Sequence, residues 1–167
     1  SGEVTELTDD VGNQLMVASA MRLSPSGIAL FVVSPSVFFS QRSVFRRLKD
    51  FGIGIEAAFS LPSGTFAPVT TIPAYLVVVR RKIISRIFVA QLSADTNTNL
   101  QVISNFRQGA DGGSLELGRF VAADTFRSIE HLRASDAMKA AEKRFGVPAS
   151  NLAELEDVKS GIQLGRP

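Results

Sequence analysis

The chain reads as an α/β protein: a half-sheet with an antiparallel hairpin at its edge, followed by a mainly helical C-terminal extension. Three observations predict this. The run Ile28-Ala29-Leu30-Phe31-Val32-Val33 is apolar at every position; alternation would mean one solvated face, so an unbroken run predicts a strand covered on both faces, as in a parallel sheet. Helical and strand patterns alternate as far as residue 95. Beyond Asp95 the strand-like runs stop and polar, then alanine-rich, sequence takes over.

Thr8-Asp9-Asp10 suits a helix N-cap, because short oxygen-bearing side chains satisfy the free amides of a first turn. Val11, Leu15, Ala18 and Met21 then recur at helical spacing until Pro25 and Gly27 end the pattern. After the Ile28–Val33 strand, Ser34-Pro35-Ser36 opens a connection. A second helix is expected from about Ser40 to Asp50, with Val44, Phe45, Leu48 and Phe51 facing inward and Gly52 as its stop. Residues 53–61 read as a second strand. Pro62-Ser63-Gly64-Thr65-Phe66-Ala67-Pro68 reads as a loop. Residues 74–79 and 86–92 are two further strands around a short basic turn, close enough to form a hairpin. Further on, Thr96 to Asn99 is polar, a short helix is expected over residues 100–106, and residues 108–114 read as a mobile loop. Ser135-Asp136 is expected to cap an alanine-rich helix through Phe145 that Gly146 and Pro148 terminate. Ser150 is a further candidate cap.

The composition suits a globular chain with a real core: of 167 residues 45% are hydrophobic and 20% charged. No apolar run has the length of a membrane span, and no signal-peptide pattern opens the chain, so no membrane partner and a cytoplasmic setting are expected. With no cysteine and one histidine, disulfides, thiolate metal sites, a cysteine nucleophile and a multi-histidine centre are excluded within these residues. A formal charge of +2 permits nucleic acid as a partner without requiring it.

Three signatures then occur in fixed order. The first is Leu23-Ser24-Pro25-Ser26-Gly27 running into Ile28–Val33 and Ser34-Pro35. The second is Leu61-Pro62-Ser63-Gly64-Thr65-Phe66. The third is Ala74-Tyr75-Leu76-Val77-Val78-Val79-Arg80-Arg81-Lys82, followed by Arg86-Ile87-Phe88-Val89-Ala90. Together, over roughly residues 8–95, they resemble the later motifs of the N6-adenine DNA methylase family, which includes the modification subunits of type I restriction systems. The resemblance implies a partial Rossmann-like methyltransferase sheet. Residues 1–95 would be the C-terminal half of that α/β domain, and residues 96–167 a helical extension or linker towards a target-recognition region. Leu152 to Gly161 is similar to the opening of target-recognition domains in specificity subunits, and a plain capped helix explains it too.

The resemblance also implies methyl transfer from S-adenosylmethionine to adenine N6 of DNA in a restriction-modification system. The family holds its cofactor in a glycine-rich turn after its first strand and the adenine amino group in an Asn/Asp-Pro-Pro-aromatic loop. Neither motif occurs here. Gly52-Ile53-Gly54 lies between a helix and a strand, the reverse of the required order, and Ile72-Pro73-Ala74-Tyr75 has no amide or carboxylate. The chain therefore reads as truncated at its start, holding no cofactor and inactive alone, with no catalytic residue to name. The alternative is a non-catalytic module, built on a methyltransferase-like half-sheet, that binds DNA or a subunit.

Within the resemblance, Phe66 would stack on the extruded adenine, because a base leaving the duplex needs another π-face; its competing role is to plug the sheet end. Pro62, Gly64 and Pro68 would shape the loop. Arg42, Arg46 and Lys49 share a helical face, with Arg47 beside it, and are candidate phosphate contacts. So are Arg80, Arg81, Lys82 and Arg86 around the basic turn. A solvated helix face and sheet-edge protection are the structural alternatives. His131 reads as a surface or packing residue, and Tyr75 as core. Expected partners are DNA, a specificity subunit or target-recognition domain, and a second copy through an exposed sheet edge.

Overall fold

The computed structural model describes residues 11–39 and 41–146, apart from the side chains of residues 39 and 41–43. The cap at Thr8 to Asp10, the cap at Ser150, residues 152–161 and the Arg42 side chain lie outside these. Among the described residues five strands and five helices follow one another: α1 (Val11–Ala20), β1 (Ile28–Val33), α2 (Ser36–Phe39), α3 (Gln41–Asp50), β2 (Gly54–Ser60), β3 (Tyr75–Arg80), β4 (Arg86–Gln91), α4 (Thr96–Gln108), β5 (Arg119–Ala122) and α5 (Ile129–Phe145). The α/β class is as expected. Two compact units divide at Ile129 and Glu130.

The strands form one mixed sheet in the order β1-β3-β2-β4-β5. Only β2 and β4 are parallel neighbours; β3 is antiparallel to both β1 and β2, and β5 is antiparallel to β4. The antiparallel pairing expected at an edge is present at both edges, but not as the expected hairpin. β3 and β4, joined by a short turn, straddle β2 instead of pairing with each other. The register places Gly54 opposite Arg80, so the turn after β3 crosses the start of β2. A β-carbon on Gly54 would lie 2.5 Å from Ile84 Cγ1 and 2.8 Å from the Lys82 carbonyl oxygen, so only glycine admits this crossing.

β1 differs from expectation as well. It is an antiparallel edge strand with alternating exposure, not a strand covered on both faces. Residues opposite one another in register share a face, which sorts the sheet. One face carries Ile28, Leu30 and Val32 of β1, then Leu76 and Val78, Ala57 and Phe59, Phe88 and Ala90, and Phe120. From β3 to β5 this face forms a core with Val102 and Phe106 of α4. Ring centroids there are 5.1–6.0 Å apart among Phe59, Phe88, Phe106 and Phe120, distances at which offset and edge-on aromatic pairs attract. At the β1 end it is bare: Ile28, Leu30 and Val32 are 50%, 64% and 57% exposed.

On the other face, Tyr75 is buried and meets the Phe38 ring edge-on at 5.0 Å, and Phe126 meets Phe38 edge-on at 5.8 Å. Helices α1 and α3 pack on each other and on β1 and β2. Val44 and Leu48 of α3 are buried as expected, whereas Phe51 is exposed. In α1 the apolar row Val11, Leu15, Ala18 and Met21 is the exposed side, and Asn13, Met16, Val17 and Ala20 are buried.

Residues 96–129, expected to belong to the extension, are part of the sheet unit. α4 is longer than the expected segment because Asp95 caps it. The carboxylate accepts the Thr98 amide at 2.8 Å, drawing the polar residues 96–99 into the first turn. The following loop is tied down by Asp111, which accepts the Gly113 amide at 2.9 Å and the Phe120 amide at 3.2 Å. β5 had no expectation. α5 begins at Ile129, the last residue of the sheet unit, so Ser135 and Asp136 lie inside it and do not cap it; Gly146, at φ +65°, ends it as expected.

Candidate functional site

β1, β2 and β4 run in one direction, so their C-terminal ends and the start of β3 share one edge of the sheet. In α/β proteins ligands collect at the carboxyl ends of strands, where turns and loops converge. Here the edge carries Ser34-Pro35 after β1, the long loop of residues 61–74 after β2, and Ser93 after β4.

The loop is closed at its base by the Leu61 amide donating to the Ala74 carbonyl at 2.9 Å. Within it the Thr65 hydroxyl donates to the Pro62 carbonyl at 2.6 Å, and the Ala67 amide to the Gly64 carbonyl at 3.0 Å. Gly64 has φ +78°, a backbone conformation that costs glycine nothing, and the Ala67-Pro68 peptide is cis. The Thr70 amide donates to the Phe66 carbonyl at 3.1 Å, and the Ile72 amide to the Thr70 hydroxyl at 3.1 Å. Pro62, Gly64 and Pro68 thus all sit in an internally bonded loop. Phe66 stands on it 39% exposed, beside Val69 at 90% and Ile72 at 62%. No charged residue occurs between Leu61 and Ala74.

At the foot of the loop the Ser60 side chain is buried, and its hydroxyl has no hydrogen-bond partner among the described residues. Sequence reasoning passed over Ser60 because a serine at a strand end is unremarkable. It passed over Val69 and Ile72 because each is a single apolar residue in a loop; the signal available was the absence of any charge over the whole segment.

The basic candidates are not brought to this edge. Arg80 pairs with Ile28 and Gly54, the first residues of β1 and β2, so the Arg80–Lys82 turn lies at the opposite edge. β3, six residues long, separates the two by roughly 17 Å at about 3.4 Å per residue step. Each side chain there has a partner within the chain. Arg80 forms an ion pair with Glu56, the extra residue of a bulge in β2, and Lys82 Nζ lies 3.5 Å from the same carboxylate. Arg81 donates to the Leu23 carbonyl at 2.9 Å, tying the turn to the end of α1. The Arg86 guanidinium sits 4.6 Å from the Phe120 ring centroid. On α3, Arg46 and Lys49 are exposed.

Gly52 has φ +69° and donates to the Lys49 carbonyl, ending α3, while Ile84 fills the space over Gly54. This pair offers no cradle for S-adenosylmethionine, and the three strand-end turns described above offer no glycine-rich one. Among the described residues these turns do not fit the cofactor. Among the described residues no group of His, Cys, Asp and Glu is placed to hold a metal, and no helix is long and apolar enough to cross a membrane.

No family model matches the chain, and no curated protein matches it. Among solved structures, a chain from work on complex assembly and conformational transition of the type I R-M system aligns over 84% of this chain and 37% of its own length. The TM-score is 0.48 and the identity 16%. A modification subunit assigned to a type I restriction enzyme from Vibrio vulnificus YJ016 aligns over 59% of this chain and 23% of its own, with TM-score 0.47 and 18% identity. The chain thus spans well under half the length of the solved chains to which part of its fold is similar.

Proposed function

We propose that this chain belongs to an S-adenosylmethionine-dependent DNA adenine-N6 methyltransferase of a restriction-modification system, to which it contributes the loop that receives the target base. The observation that carries this reading is Phe66: an exposed aromatic on an internally bonded, uncharged loop at the carboxyl edge of the strands. The three ordered signatures around that loop supply the chemistry by resemblance. Other residues than those described would hold the methyl donor and the adenine amino group, so this chain alone is expected neither to bind the donor nor to transfer a methyl group.

The test is Phe66→Ala in the enzyme that contains this chain, with 2-aminopurine at the target adenine. Stacking of one base on an aromatic contributes about 1–3 kcal/mol. The substitution should therefore weaken base capture by roughly five- to 150-fold. Unchanged fluorescence of the extruded base together with unchanged turnover would remove the assignment.

One observation favours a second reading, a subunit-binding module. β1 is an edge strand with an exposed apolar row and no charged residue to block pairing with another strand. On that reading the chain self-associates, and Leu30→Lys shifts it to monomer in sedimentation velocity. A wild-type chain that stays monomeric at all concentrations would exclude self-association.

A further inference from the structure

Extruding a base from a duplex leaves a gap in the stack, and unstacking is the principal cost of the step. If Phe66 receives the base, an assignment on which this inference rests, something must occupy or tolerate the gap. We infer that Val69 and Ile72, on the same loop, form an apolar wedge that enters the base stack of DNA. The two side chains are 90% and 62% exposed and lie three and six residues beyond Phe66. Both are β-branched, hence stiff at the first side-chain torsion, and each adjoins a proline, Pro68 or Pro73. Hydrogen bonds from Thr70 to Phe66 and from Ile72 to Thr70 tie all three positions into one piece of backbone. Apolar side chains on a preset backbone are what insertion between base steps uses elsewhere, because a charged group there would lose its hydration without a partner. The segment from Leu61 to Ala74 has no charge to desolvate.

A duplex with a single abasic site presents the gap already formed, so a wedge should prefer it to the same duplex fully paired. Fluorescence anisotropy at one fixed salt concentration compares the two duplexes with this chain. The expected result is tighter binding to the abasic duplex by about fivefold or more. The Val69→Ser/Ile72→Ser variant should lose that preference and bind the two duplexes alike. Both side chains are exposed, so an unaltered melting temperature is the control for folding. Equal binding of the two duplexes by the wild-type chain overturns the wedge and leaves the DNA reading standing. A preference that survives in the double variant and disappears in Phe66→Ala also overturns it, since stacking alone then explains the effect. Failure to bind either duplex overturns the wedge and counts against the DNA reading as well. Self-association that the double variant abolishes, without any DNA preference, overturns it in favour of a protein contact.

Discussion

Gly118 is where the aromatic core meets the backbone most closely, and its replacement by alanine gives a magnitude that can be worked out in advance. Two effects add. The residue has φ +81°, where an L side chain crowds its own backbone; that strain is about 1–2 kcal/mol. A β-carbon would also fall 2.1 Å from Phe88 Cζ and 2.6 Å from Cε1. Phe88 is fully buried and hemmed in by Phe59, Phe106 and Phe120, so its ring has nowhere to swing. Overpacking of such a core costs roughly 1–3 kcal/mol. Gly118→Ala should therefore destabilise the sheet unit by about 2–5 kcal/mol. Gly113 supplies the control: it has φ +76° with no atom within 4 Å of an added β-carbon, so Gly113→Ala should show the backbone cost alone. Urea denaturation followed by circular dichroism reads both changes, with equal m-values as the condition for comparing them. Adding Phe88→Leu to Gly118→Ala should recover part of the loss, a non-additivity expected only of residues in contact. A Gly118→Ala protein no less stable than Gly113→Ala would refute the packing argument.

Two further outcomes follow from single side chains. The Asp95 pKa is lowered, first by the hydrogen bond from the Thr98 hydroxyl and then by that from the Thr98 amide. A carboxylate depressed by folding adds stability above its unfolded pKa of about 3.9 and loses it as pH falls through the lower folded value. Asp95→Asn keeps a capping oxygen but removes the proton linkage, so its thermal stability should fall less steeply than wild type below about pH 4; parallel melting curves across that range would contradict the assignment. The Ser60 hydroxyl is buried without a partner among the described residues, and such a group costs about 1–3 kcal/mol. Ser60→Ala should accordingly leave stability unchanged or raise it in the same urea titration, and a clear loss would mean that the hydroxyl has a partner in solution.

The sequence by itself determined the α/β class, the positions of four strands and the loop between β2 and β3. These depend on local chemistry: apolar runs of strand length, prolines and glycines that bar regular structure, and a positive-φ glycine at the ends of α3 and α5. The order of those strands was decided by tertiary structure. A short turn between β3 and β4 is compatible with a hairpin, but a chain can also step across a neighbour if a residue without a side chain lies beneath it, and Gly54 is that residue. The apolar run Ile28–Val33 does not by itself distinguish a strand covered on both faces from an edge strand with one exposed face, and only the strand order set it at the edge. The separation of Phe66 from the Arg80–Lys82 turn was hidden for the same reason. Thirteen residues of sequence divide Phe66 from Arg80, and only the strand direction sets them at opposite edges, where the arginines meet Glu56 and Leu23 within the chain.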